Sequence, residues 1–196
     1  STLTTGTPTL RDGVAEVFEE TFDFNQTTPE KLPAGSYTVD VQAFQRPGSA
    51  EDVYSAWLNE TNNVKSNVYL LTKNTKVCNV MEDAQATRLS TGDNELQEGN
   101  QWIPNTMLGS SKYFEKGLYH VSVTNNITLS SGRALKLGIR TSTKGTAHWT
   151  CFNHFRLYYH GNYKTVTGID NAELSEIEDF NNKVYDLSGR QISAQK

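Results

Sequence analysis

The side chains with the widest chemical repertoire in this chain are its histidines, its tryptophans and a few paired carboxylates. His148, His154 and His160 recur six residues apart in the run from His148 to Gly161, which also holds Trp149, Cys151, Phe152, Phe155, Tyr158 and Tyr159. The run reads as a strand, so neighbouring histidines lie roughly 20 Å apart at ~3.3 Å per residue. They cannot share one ion, and His120, on another strand, adds no more than a pair, so no zinc site follows. Glu19-Glu20, Glu82-Asp83 and the carboxylates near the C-terminal end could serve as a glycosidase pair only if folding set two of them roughly 5–9 Å apart. Adjacent carboxylates are more often solvated charge. The sequence has no GxSxG, no HExxH and no glycine-rich phosphate loop. No catalytic or metal-ligating residue is therefore assigned.

Stacking chemistry is better represented. A pyranose is recognised by a flat aromatic face against its C–H side, flanked by planar hydrogen-bonding groups, and aromatic residues on loops are the usable ones. Trp57, with Tyr54 three residues before it, lies in a segment that strand alternation does not explain, and Trp102 lies in another. Each could instead plug an edge of the fold. Asp40, Gln42 and Arg46 form a polar row on one strand, joined by Phe44. That row is either the floor of a cleft or the plain solvent face of a sheet. Trp149 shares parity with Cys151 and Phe155 and is expected in the core. The candidate carbohydrate-binding residues are thus Trp57, Tyr54, Trp102, Arg46 and Gln42.

The elements that must position these residues are mostly strands. Lys31-Leu32-Pro33-Ala34-Gly35 is a turn signature. Ser36 to Arg46 follows with Tyr37, Val39, Val41 and Ala43 on a core face, Phe44 breaking the alternation, and Pro47-Gly48 ending it. Thr21 to Gln26 and Ser66 to Thr72 read as strands, Thr75 to Met81 as a short one, and Val14–Phe18 could begin a helix. Ser49-Ala50-Glu51-Asp52 resembles a capping box, predicting a short helix or ordered loop that carries Trp57. Residues 82–100 read as a polar surface loop, and Trp102-Ile103-Pro104-Asn105 as an anchored turn whose Asn105 caps a short helix ending at Lys116-Gly117. Tyr119 to Leu129 and Leu135 to Ile139 alternate again. Several alternating strands with few helices predict an all-β, antiparallel two-sheet sandwich with one or two short helices in its loops.

Composition sets the outer limits. A chain of 196 residues can bury a core without disulfide staples. With a net charge of −4, nucleic acid is not an expected partner. No apolar run approaches the ~18 residues of a membrane span, so no membrane insertion is expected. Cys78 and Cys151 are read as free apolar thiols, with a single bridge as the alternative.

The phrases Leu32-Pro33-Ala34-Gly35-Ser36-Tyr37 through Arg46, Tyr113-Phe114-Glu115-Lys116-Gly117, and Trp149 to Gly161 resemble the galactose-binding-like β-sandwich modules of exported Bacteroidetes proteins. The resemblance covers roughly residues 14–161 and implies a jelly roll. A loose leader over 1–13, a linker over 162–182 and a truncated C-terminal segment over 183–196 complete the expected organisation. The segment Lys183 to Ile192 resembles the start of a C-terminal domain of exported proteins. What the resemblance implies is a non-catalytic glycan-binding accessory module outside the cytoplasm, partnered by a polysaccharide and by other domains of a longer chain. No cofactor is expected. Such modules often carry Asp where this chain has Asn153, which weakens the case for a structural calcium. A spacer or protein-interaction domain, and a sandwich-fold hydrolase or lyase, are the alternative readings.

Overall fold

The computed structural model describes residues 2–3, 8–128, 132–161, 183–185 and 191–192. In chain order its strands are β1 (Thr2–Leu3), β2 (Thr9–Arg11), β3 (Val14–Phe18), β4 (Phe22–Thr27), β5 (Gly35–Pro47), β6 (Ser66–Leu70), β7 (Lys73–Lys76) and β8 (Cys78–Asn79). Then follow β9 (Glu95–Glu98), β10 (Gln101–Pro104), β11 (His120–Ile127), β12 (Lys136–Thr141), β13 (His148–Tyr159), β14 (Lys183–Tyr185) and β15 (Gln191–Ile192). Helix α1 (Ala50–Leu58) separates β5 from β6, and α2 (Met107–Glu115) separates β10 from β11. The expected linker over 162–182 lies outside the described residues.

The protein is a β-sandwich. One sheet runs β1-β4-β12-β6-β7, and the other is built on β11-β5-β13, with β3 and β14 sharing the far edge of β13. All pairings are antiparallel except the short contact of β8 with β5. Alternation drives the packing: Tyr37, Val39, Val41 and Ala43 of β5 and Val121 and Val123 of β11 meet Val68, Leu70, Leu137 and Ile139 of the facing sheet. Each such fully buried side chain contributes roughly 1.5–3 kcal/mol. At one rim of this core Gln45 satisfies the backbone, its Oε1 accepting from Lys65 N at 2.6 Å and its Nε2 donating to Thr150 Oγ1 at 3.1 Å.

A second core lies on the outer side of the larger sheet. There Phe44, Val14, Trp149 and Cys151 are covered by Val53 of α1, by Met107, Tyr113 and Phe114 of α2, and by Ile103 of the β9–β10 hairpin. This layer explains why Phe44 departs from its strand's alternation: both faces of β5 are buried at that position. The segment read from sequence as a loop and an anchored turn is this covering layer, with a 3-10 turn at Gly92–Asn94 leading into the hairpin. Val14–Phe18, expected to begin a helix, is instead strand throughout, paired with β2 and β13.

The strand His148–Tyr159 does not keep a single parity. Asn153 pairs with Gln42 and Arg156 with Asp40, so His154 and Phe155 together oppose Val41. One extra residue in a strand reverses its faces beyond that point. Trp149 and Cys151 accordingly enter the second core, whereas Phe155, Leu157 and Tyr159 pack on the inter-sheet core. The backbone at His154 is left-handed, with φ 54°. Trp149 is buried as expected, but it shares no core with Phe155.

Both helices begin on side-chain caps. Ser49 Oγ accepts from Asp52 N at 3.1 Å, the N-cap half of the anticipated box, while Asp52 Oδ2 accepts from the Ser49 hydroxyl at 2.6 Å rather than from its backbone N–H. At α2 the cap is Thr106, whose Oγ1 accepts from Gly109 N at 3.1 Å. Asn105, expected in that role, spends its side chain on Arg46 and on the carbonyl of Asp93.

Candidate functional site

Helix α1 presents one aromatic stripe. Val53 is buried beneath it, while Tyr54, Trp57 and Leu58 follow at the three- and four-residue spacings that share a helix face. Trp57 is 36% exposed and Leu58 64%. Tyr54 is half-buried with its hydroxyl end packed over the hairpin turn, where a Cβ on Gly99 would strike it. Beyond the helix, Asn59 to Asn63 is exposed throughout. Asn59 turns its amide back to Ser55 O at 2.8 Å, and Asn62 Oδ1 accepts from Val64 N at 3.0 Å. An exposed indole thus stands beside a loop rich in amides.

Trp102 belongs to a different surface. In the hairpin it pairs with Gln97, and Ile103 with Leu96. Alternation therefore turns Trp102 to the face opposite the one that Ile103 and Leu96 press onto the second core with α1. Its ring is half-buried and covered on one side by the Arg88 guanidinium, 4.6 Å from the ring centroid. Arg88 is held in turn by the buried carboxylate of Glu95 at 3.7 Å. Glu95 also accepts from Leu89 N, from Ser90 N at 2.7 Å and from Tyr113 Oη at 2.9 Å. The cation on Trp102 comes from a residue fourteen positions upstream, and nothing in the local sequence announces that pairing.

Gln42 and Arg46 do not line a cleft floor. Gln42 is buried; its Nε2 donates to the carbonyls of Phe114 at 2.8 Å and Leu118 at 2.9 Å, and its Oε1 lies 2.7 Å from His154 Nδ1. It ties the C-terminal turn of α2 to the sheet. Arg46 is half-buried, its guanidinium 5.1 Å from the Trp149 ring and its Nη1 donating to Asn105 Oδ1 at 2.9 Å. Burial holds its pKa below the ordinary arginine value. Phe44, between them, is fully covered. Of the row read from sequence, Asp40 remains on the open part of the sheet, 3.5 Å from His120 Nδ1.

Cys78 and Cys151 are both unpaired. Phe44 is the register partner of each, on opposite edges of β5. Their Cα atoms therefore lie two strand spacings apart, roughly 10 Å, beyond the ~7 Å limit of a disulfide.

Asn153 donates from Nδ2 to Gly13 O at 3.4 Å and buries its oxygen without a partner. Among the described residues no group of three or more His, Cys, Asp or Glu side chains could hold a metal ion. No helix among the described residues is long and apolar enough to cross a membrane. No protein-family model, curated protein or solved structure matches the chain.

Proposed function

We propose that the chain is a non-catalytic glycan-binding module of the galactose-binding-like kind, carried by an exported Bacteroidetes protein as an accessory to other domains. The observation that supports this reading is the exposed Trp57 indole on a helix anchored through Val53, beside the amide-rich loop Asn59–Asn63. An indole face meets the C–H side of a sugar ring, and planar amides match its hydroxyls. Tyr54 fixes the inner edge of the platform. Trp102, on the other face of the hairpin and stacked under Arg88, is a secondary contact at most.

A glycan array followed by calorimetry tests this reading. Trp57→Ala is expected to lower affinity about tenfold or more, on the scale of one lost stacking contact of ~1–3 kcal/mol. Its melting temperature should stay near that of the wild type, because the ring is not in the core. Unchanged sugar affinity in Trp57→Ala removes this site. Absence of any glycan ligand favours the second reading, a protein-interaction domain, for which the observation is Leu58 extending the exposed apolar stripe.

A further inference from the structure

The solvent face of the five-stranded sheet carries charge that the molecule as a whole does not. Register places Lys76, Asn67, Arg140 and Asp23 in one row across β7, β6, β12 and β4, all pointing away from the inter-sheet core. The next row holds Asn74, Tyr69 and Gly138, and Lys136 follows on β12. Tyr69 donates its hydroxyl to Asp23 Oδ1 at 2.6 Å, across β12, while Gly138 between them is kept small by β4, where a Cβ would strike Phe24 O. Arg140 stacks on that ring, 5.0 Å from its centroid. The guanidinium is thereby held over the sheet on an exposed residue, and its planar fork suits a planar anion.

We propose that this face is a second binding surface, separate from Trp57, and that its occupant is an anionic polysaccharide bearing carboxylate or sulfate groups. Among the described residues the strands of this face bring Lys76, Arg140 and Lys136 together with the carboxylate of Asp23, on a chain whose net charge is −4. Among the described residues none of the three has a carboxylate within ion-pair distance. Lys76 lies two strands from Arg140 and Lys136 four residues along β12, spacings of roughly 10 and 13 Å that a linear charged polymer can follow. Asn67 and Asn74 lie between the charges as donors and acceptors for sugar hydroxyls. Nucleic acid fits less well, because the one aromatic ring of the face is covered by Arg140 and is not open to base stacking.

Calorimetry at low ionic strength with heparin, polygalacturonate and a neutral polysaccharide tests the proposal, with single-stranded DNA as the competing polyanion. The wild type is expected to bind one of the two acidic polymers, with an affinity that falls as salt is raised. The triple variant Lys76→Gln, Arg140→Gln, Lys136→Gln should lose about tenfold or more. Lys76→Gln with Lys136→Gln, which leaves the Arg140–Tyr69 stack untouched, should lose about threefold or more, with an unchanged melting temperature. Lys116→Gln, removing a charge beyond α2, and Trp57→Ala should leave this binding as it was. The proposal is overturned if neither acidic polymer binds, if the double and triple variants bind like the wild type, if Lys116→Gln weakens binding equally, or if DNA binds as tightly.

Discussion

The imidazole of His154 lies with Nδ1 2.7 Å from Oε1 of Gln42, joining the bulge of β13 to the residue that secures α2. Because the amide nitrogen of Gln42 is spent on Phe114 O and Leu118 O, its oxygen is the acceptor, and His154 Nδ1 carries the proton. The bulge and the covering layer are thus one hydrogen-bonded unit. Gln42→Leu removes the side-chain donor from Leu118 O and the acceptor from His154 Nδ1, and takes one donor from Phe114 O, which keeps Gly117 N at 2.9 Å; it should cost about 2–3 kcal/mol. For a chain of this size that lowers the melting temperature by roughly 4–10 °C in a thermal unfolding experiment.

Glu95 gathers the loop before the hairpin. Its carboxylate accepts from Leu89 N at 3.0 Å and from Tyr113 Oη at 2.9 Å, while Tyr113 also reaches Trp102 O at 2.7 Å. Glu95→Gln turns one acceptor into a donor facing donors and should destabilise by about 2–3 kcal/mol. Tyr113→Phe should cost about 1–2 kcal/mol. In a double-mutant cycle read by denaturant unfolding, the two should couple by about 1 kcal/mol, since they share one hydrogen bond. Strict additivity would separate them.

Acidification should weaken the fold before the carboxylates titrate. His154 is held below the ordinary histidine pKa by burial, then by Arg156 and His120. His148 is lowered by burial and by Lys65, with Glu19 opposing. A histidine depressed in the folded state binds its proton more readily when unfolded, so stability rises with pH through the window between the folded value and ~6.5. The melting temperature should therefore fall between pH 7.5 and pH 5.5, and His148→Asn with His154→Asn should flatten that slope. An equal slope in the double variant would assign the effect elsewhere.

The cysteines should stay reduced and inert. Burial pushes the Cys78 thiol up to about 12, with Glu82 and Asp83 adding to the shift, and Cys151 is raised by complete burial. At neutral pH little thiolate is present to react. Iodoacetamide followed by mass spectrometry should show no modification of the native protein and two additions in denaturant. No disulfide should form under mild oxidation.

What the sequence determined by itself is the part of the molecule governed by local periodicity and local hydrogen bonding. The alternation in β5, β11 and β12 follows from burial of one face per strand, and it predicts a sandwich with no reference to partners. The Ser49–Asp52 cap closes within four residues, so its spacing alone marks a short helix or ordered loop carrying Trp57, and the structure makes it helix α1. Phe44 stood out as apolar on a polar face, but the buried layer that covers it is visible only in the tertiary structure.

Tertiary structure decided everything that depends on which segments meet. The bulge at His154 exists only relative to β5, because an extra residue has meaning only against a partner that lacks one. It moved Phe155 away from Trp149, although the two share a parity in the chain. Gln42 and Arg46 look like ligand donors in sequence because their partners, the carbonyls at the end of α2 and the Asn105 side chain, come from about sixty or more residues away. The platform under Arg140 likewise needs Tyr69 and Asp23, which come from the strands on either side of β12. Burial of a polar side chain is a property of its neighbours, and long-range pairing is what supplies them.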